Sequence, residues 1–302
     1  MQSVLLFANP IAGRGRGKRI AVELRRALSG AGYDVRTALD RPESIDDAAL
    51  HDAGDIRAAI AVGGDGTLRG VAQRLFESFP HDRIPPLLVV PLGTANLMGK
   101  HLGLDWKDQT LPDQVVAAIA TRNVAQLDAA TANGRLFLLM AGVGIDAHIV
   151  HELDRIRTGP IDITSYALPA ALAFQTYNYD PIEVEVDGRR VFGPASALAF
   201  IGNVPEYGTG FPILPKARSD DGVLDVCVLP CSSRVQLIRW FLLAATGEHI
   251  GSEGVVYTTG QRVRVTSQST VPVQIDGDPG GHTPLDIQML PTRLPFIVTR
   301  AG

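Results

Sequence analysis

The sequence predicts a two-part chain: an α/β domain with a parallel sheet, then a mainly antiparallel β-sandwich domain. Three observations carry this expectation. Over the first 125 residues, short apolar β-branched runs alternate with segments whose apolar residues recur at helical spacing. From about residue 126 closely spaced strand-like runs dominate. A length of 302 residues is ample for two domains with separate cores.

In the first part the strand-like runs are Val4–Ala8, Val35–Ala38, Ile56–Val62 and Leu87–Val90. Between the first two, Ile20, Leu24, Ala27, Leu28 and Ala31 mark one face of a helix. Such alternation implies crossover connections and a parallel sheet covered on both faces. Ligands of these sheets bind beyond the carboxyl ends of the strands. Asn9-Pro10, Gly63-Gly64-Asp65 and the segment Pro91 to Asn96 each follow a strand end, so they should converge on one crevice.

The second part is read as strands at Ala125–Ala130, Leu136–Ala141, Ile182–Val186, Arg190–Phe192, Ala195–Gly202, Val223–Leu229, Val263–Thr266 and Val271–Ile275. Asp187-Gly188 between two of them signals a hairpin. Helical stretches are expected near Ile163–Tyr177 and Val235–Thr246, and the last strand-like run, Leu294–Thr299, packs back on one domain or the other. The expected division is residues 1–125, with 291–302 as a candidate addition, and residues 126–290.

Composition narrows the function classes. A net charge of −4 argues against nonspecific nucleic-acid binding as the main activity. Against that balance, Arg14, Arg16, Lys18, Arg19, Arg25, Arg26 and Arg36 face only Glu23 and Asp34, a local excess that suits an anionic ligand or simply a solvated helix face. No apolar run reaches the roughly 18–20 residues of a membrane span. The first strand-like run has no basic lead-in, so no signal peptide is expected and a cytoplasmic chain is. Cys227 and Cys231 lack further cysteine or clustered histidine nearby and read as buried thiols. The seven histidines are scattered and read as satisfied or surface groups, His148 and His151 included.

The most informative stretch is Ile60-Ala61-Val62-Gly63-Gly64-Asp65-Gly66-Thr67. A strand stops at three glycines around one carboxylate, and an amphipathic segment, Leu68 to Phe79, follows. Glycines let backbone N–H groups approach an anion and a helix N-terminus adds its dipole, so this turn is expected to hold nucleotide phosphate. Thr67 is placed as the N-cap of that helix. Gly13 to Lys18 invites comparison with a Walker A loop but fails it, because Ala12 and Arg19 stand where glycine and Ser/Thr are required. Gly142-Val143-Gly144-Ile145-Asp146-Ala147 matches the dinucleotide fingerprint, with Asp162 near the later acidic position, yet no βαβ unit surrounds it; it is read as a tight helix–strand packing turn. Asp276-Gly277-Asp278 sets two carboxylates on a turn at a strand end, suited to accepting a hydroxyl proton in phosphoryl transfer. Asp220-Asp221-Gly222 with Asp225 forms another acidic turn, suited to a hard cation or to a hairpin.

Taken in order, Asn9-Pro10 with Gly13, Gly63 to Thr67, Pro91 to Asn96, Gly142 to Ala147, Asp221 to Asp225 and Ile275 to Asp278 resemble the diacylglycerol kinase catalytic family, in particular soluble bacterial lipid kinases, which are similar to sphingosine kinases. The likeness spans nearly the whole chain. It implies a nucleotide domain of the kind that NAD kinases share, a β-sandwich domain and ATP held in the cleft between them. On that resemblance Asn9, Pro10, Gly13, Gly63, Gly64, Asp65, Gly66, Thr67, Thr94 and Asn96 hold ATP, and Asp65 lies near phosphate and Mg2+. Asp278 takes the general-base position with Asp276 in support, and Asp221 with backbone carbonyls holds a structural Mg2+. The substrate implied is a diacylglycerol-like lipid taken from a membrane surface through peripheral contact. Leu97, Met98, Leu102 and the segment Tyr166 to Phe174 are candidates for its access route. The residues say nothing about a homodimer, for which the resemblance leaves room.

The chain departs from the family pattern at three places. Gly70 stands where glutamate is usual, Leu97 where some members carry aspartate, and Asp278 where glutamate is usual. The last shortens the base by one carbon–carbon bond, about 1.5 Å. Two other readings stay open: a non-catalytic nucleotide- or lipid-binding homologue, and a soluble-substrate kinase of the NAD-kinase type.

Overall fold

The structure is a computed structural model that describes residues 2–40, 55–156, 167–208 and 210–299. The chain forms two compact units, Met1–Leu127 with Thr292–Gly302, and Asp128–Pro291. Each is described by itself.

The first unit is built on β1 (Ser3–Ala8), β2 (Asp34–Ala38), β3 (Ile56–Gly63), β4 (Leu87–Pro91) and β5 (Val124–Leu127), completed by a C-terminal strand, Leu294–Ile297. Their order is β2-β1-β3-β4, then the C-terminal strand, then β5. All neighbours run parallel except β5 against the C-terminal strand. Every residue of β1 is buried, as a parallel strand covered on both faces requires. Val4, Leu6, Ile60 and Val62 share a core with Ile20, Leu24 and Leu28 of α1 (Ala12–Gly30). Two further helices, α2 (Asp65–Ser78) and the five-residue α3 (Leu97–His101), follow β3 and β4 directly, and α4 (Leu111–Thr121) packs Val115 and Ile119 into the same core.

The second unit consists of β6 (Ala130–Ala132), β7 (Arg135–Phe137), β8 (Met140–Val143), α5 (Ile145–Ile156), α6 (Ala167–Thr176), β9 (Pro181–Val186), β10 (Arg189–Gly202), β11 (Leu224–Pro230), α7 (Arg234–Thr246) and β12 (Val256–Gly260) to β16, where β13 is Arg262–Thr266, β14 Pro272–Ile275, β15 Asp278–His282 and β16 Leu285–Met289. Its strand pairings are antiparallel. The long β10 joins two sheets. Its first half pairs with β9, continuing to β13, β16, β6 and β7, while its second half pairs with β8 and β11. Ile182, Val184, Val263 and Ile287 from one sheet and Ala141, Val143, Val226 and Val273 from the other enter one buried cluster, which is a sandwich core. Asp187 and Gly188, at φ +49° and +79°, form the expected two-residue turn between β9 and β10.

Several sequence expectations are corrected here. The run Ala125–Ala130 splits into β5 and β6, which lie in different units. The run Leu136–Ala141 splits into β7 and β8, because the amides between them turn to the Asp276 carboxylate. Arg190–Phe192 and Ala195–Gly202 are one strand rather than two. Of the helix expected near Ile163–Tyr177, α6 is the described part; Asp162 and Tyr166 lie outside the described residues. Leu294–Thr299 goes to the first unit's sheet as Leu294–Ile297.

Candidate nucleotide and base loops

The Gly63 to Thr67 turn is the end of β3 and the first turn of α2. Gly64, extended at φ −89° and ψ −176°, is the N-cap, which corrects the expectation for Thr67. The first intrahelical bond is Leu68 N–H to the Gly64 carbonyl, so the preceding amides form the open, positive end of the helix. Thr67 instead lies inside the first turn, with its side chain packed over the Gly63 Cα; a Cβ at Gly63 has no room.

Two neighbouring turns support this loop. Leu92 N–H donates to the Gly63 carbonyl at 2.7 Å, and a Cβ on Gly93 would stand 2.6 Å from the Gly64 Cα. Backbone therefore packs on backbone, which only glycine allows at both positions. Asn96, in the left-handed region at φ +51°, folds its own loop. Its Oδ1 accepts the Gly93 N–H at 2.7 Å and its Nδ2 donates to the Gly93 carbonyl at 2.8 Å. Thr94 sits exposed between them. On the other side, Asn9 Oδ1 accepts the Ile11 N–H and Asn9 N–H donates to the Val62 carbonyl. Pro10 follows in the turn, and Gly13, Arg14 and Gly15 take φ of +58°, +60° and +86° before the regular part of α1 begins.

Asp65 holds these loops together. Its carboxylate accepts Leu97 N–H at 3.0 Å and Met98 N–H at 3.1 Å. Burial pushes its carboxyl above the usual value, and the Leu97 and Met98 amides and the Lys100 ammonium pull it back. Both oxygens are thus committed to the amides that open α3, a poor arrangement for a direct metal ligand. Met98, expected on a lipid route, is core at 1 % exposure. The basic residues of α1 are exposed, and Arg16, Arg19 and Arg36 pair with Asp108, Glu23 and Asp34.

In the second unit, Asp276-Gly277 is the two-residue turn of the β14–β15 hairpin, with φ of +51° and +82° and Ile275 opposite Asp278. Asp278 opens β15 and is half-buried. The Asp276 carboxylate accepts three amides, Leu138 at 3.0 Å, Leu139 at 2.9 Å and Met140 at 3.1 Å. That fixes the turn against the β7–β8 connection and differs from a part in proton transfer. Gln274 Oε1 accepts Gly277 N–H at 2.8 Å, and Arg135 donates to the Pro279 carbonyl at 2.9 Å.

Asp221 is exposed, and its Oδ1 accepts Val223 N–H at 3.2 Å. Beside it, Asp128 Oδ2 accepts Gly222 N–H at 2.7 Å and Asp225 accepts the Tyr257 hydroxyl at 2.7 Å. Burial raises the Asp225 carboxyl, and the Tyr257 hydroxyl lowers it again. Among the described residues no group of three or more His, Cys, Asp or Glu side chains could hold a metal ion. A hard cation at Asp221 would therefore draw on one carboxylate and backbone carbonyls. ATP fits better: glycine-lined turns and an open helix N-terminus match its phosphates.

Sequence reasoning missed Asp146. The Gly142 to Ala147 motif does form a packing turn from β8 into α5, but its aspartate is buried at 8 % exposure. The Ala147 amide, the Gln274 side chain and the Tyr207 hydroxyl lie near its carboxylate without reaching strict hydrogen-bond geometry, and Gln274 Nε2 and the Tyr177 hydroxyl stay equally short of it. Asp146 and Gln274 converge on the Gly142 Cα, where a Cβ has no room. Burial pushes the Asp146 carboxyl up to about 6, against the lowering pull of the Ala147 amide, Gln274 and Tyr207. Burial and the Asp146 carboxylate also push up the Tyr177 hydroxyl. The glycine spacing of the motif is visible in sequence; the buried cluster is not.

Cys227 and Cys231 are free and buried, and burial pushes their thiols up to about 12 and about 11. Among the described residues no helix is long and apolar enough to cross a membrane.

The family described as diacylglycerol kinase catalytic domain matches residues 3–132, and the YegS C-terminal NAD kinase beta sandwich-like domain matches residues 140–298. The chain is 28 % identical over 291 residues to a diacylglycerol kinase of Bacillus subtilis, covering 94 % of this chain and 92 % of that one. It is 27 % identical over 285 residues to a diacylglycerol kinase of Staphylococcus carnosus, covering 92 % and 89 %. A solved diacylglycerol kinase structure from Bacillus anthracis superimposes with a TM-score of 0.72 at 25 % identity, covering 99 % of this chain and 98 % of that one. With one family model over residues 3–132 and the other over residues 140–298, more than half of the chain, the chain belongs to the diacylglycerol kinase catalytic family and is an ATP-using phosphotransferase of the lipid kinases.

Proposed function

We propose that the protein transfers the γ-phosphate of ATP to the free hydroxyl of diacylglycerol or a similar lipid, giving phosphatidic acid or an analogue. The observation that carries this reading is the Gly63 to Thr67 turn, an open helix N-terminus whose position Asp65 fixes through the Leu97 and Met98 amides. Backbone amides of that turn hold phosphate, with Asn9, Pro10, Gly13, Thr94 and Asn96 shaping the rest of the nucleotide site. Asp65 acts by position: it fastens the phosphate turn to the Pro91 to Asn96 loop.

Asp278 accepts the hydroxyl proton as the lipid oxygen bonds to the γ-phosphorus and ADP leaves. Asp276 and Gln274 keep that carboxylate in place by anchoring the turn before it. Mg2+ at the phosphates would neutralise their charge when bound, and Asp221 with backbone carbonyls would hold a separate, structural Mg2+. The lipid is taken from a membrane surface by peripheral contact, on the inner side of the cell membrane.

A radiolabelled ATP assay against a lipid panel tests the reading, comparing the wild type with Asp278→Asn. Label in phosphatidic acid that falls sharply in the variant is the expected result. Equal transfer by both proteins would end the assignment of the base. Phosphorylation of NAD, or ATP binding without turnover on any lipid, would replace the reading by one of its two rivals.

A further inference from the structure

We propose that α7 is the membrane-docking element of the second unit and lays its outward face on an anionic lipid bilayer. The inference rests on the lipid-substrate reading above only for the identity of the partner. The surface itself is drawn by the side chains of the helix.

Ser233 caps α7, its hydroxyl accepting Gln236 N–H, and Gly247 ends it in the left-handed region at φ +75°. The inward side is anchored by Trp240, 3 % exposed, whose indole donates to the Pro230 carbonyl at 2.6 Å. The opposite side should be polar in a helix that merely covers a core. Instead Val235, Ile238, Phe241 and Leu242 are 77 %, 49 %, 58 % and 62 % exposed. At 100° per residue these four fall within an arc of about 120°, one continuous apolar stripe. Arg234 donates to the Gln175 carbonyl and lies over the Phe174 ring, which ties the start of α7 to the end of α6.

The charge pattern selects the partner. Between Arg234 and Thr246 there is no acidic residue; Arg234 is exposed at the N-terminal end of the stripe and Arg239 is exposed along its side. Glu248 is the first carboxylate after it. An apolar stripe with arginines beside it suits the boundary between headgroups and acyl chains of an anionic membrane. A second copy of this chain would bring arginine to arginine across a two-fold axis with no acid on the helix to pair them.

The test is flotation of the full chain with vesicles of phosphatidylcholine alone and with added phosphatidylglycerol. The wild type should bind the anionic vesicles more tightly. Val235→Gln with Leu242→Gln should weaken binding about tenfold or more, since each large apolar side chain contributes about that factor when buried. Arg239→Gln should weaken binding to anionic vesicles and leave phosphatidylcholine binding unchanged. Because the altered side chains are exposed, circular dichroism should match the wild type, and turnover on dispersed short-chain diacylglycerol should be retained.

Anionic-vesicle binding by the double variant equal to the wild type would overturn the docking surface, whatever the kinase activity. So would a drop from dimer to monomer in sedimentation with vesicle binding intact, which would make the stripe a contact between copies. Vesicle binding lost in the double variant, in a protein that phosphorylates no lipid, would leave docking standing and remove the substrate reading alone.

Discussion

Replacing Asp146 by asparagine tests whether a carboxylate whose burial outweighs its polar neighbours governs the stability of the second unit. The carboxyl titrates at about 6 in the folded chain against 3.8 as its ordinary value, with burial as the largest cause. Between about pH 4 and pH 6 the folded chain keeps a proton that the unfolded chain has released. Stability therefore falls as pH rises through that window and levels off above it. A difference of about two pH units corresponds to about 3 kcal/mol, of which about 2 kcal/mol falls between pH 4.5 and pH 8. Asparagine carries no charge at either pH and can turn its carbonyl to Gln274 Nε2. The variant should gain about 2 kcal/mol relative to wild type on moving from pH 4.5 to pH 8, or about 4–8 °C in melting temperature for a unit of this size. Scanning calorimetry of both proteins at the two pH values gives the number. Asp65 and Asp225, also raised by burial, cancel in the difference. An identical pH dependence in the two proteins would refute the account of Asp146 as a carboxyl raised by burial.

Other outcomes follow from the same geometry. Asp278→Asn should lower turnover by about 10²–10⁴ with the melting temperature unchanged, measured by ATP-dependent lipid phosphorylation. Asp276→Ala leaves three amides without their acceptor and should cost about 2–4 kcal/mol in urea unfolding, while Asp276→Asn, which keeps one oxygen and tolerates positive φ, costs less; equal losses of turnover with unchanged stability would restore a chemical role. Gly93→Ala puts a methyl 2.6 Å from the Gly64 Cα, so the two loops must part. A loss of about 1–3 kcal/mol and a higher KM for ATP are expected, with kcat less affected.

The parts of this molecule that were legible in the sequence are those set by neighbours in the chain. β1, β3 and the glycine turn after β3 follow from apolar runs and local backbone needs, and Asp187-Gly188 turns the hairpin that its residue types demand. What was not legible depends on partners far along the chain. Asp65 faces amides 32 and 33 residues on. Thr67 has the right chemistry for a cap, but the Gly63–Gly64 backbone starts the helix earlier than its side chain can serve. The break between β7 and β8 is imposed by a carboxylate 136 to 138 residues away, and no apolar pattern records it. The five-residue α3 is too short to show a period. Asp146 looks like any helix-start aspartate until tertiary packing closes over it.

The strand Leu294–Ile297 comes after the whole second unit in the chain, yet it pairs with β4 on one side and β5 on the other. The sheet of the first unit is therefore left unfinished until the second unit has been translated. A fragment ending after Leu127 would present two raw edges, and pairing with other chains would be its natural fate. Any attempt to produce the nucleotide-binding half in isolation must splice that late segment back in.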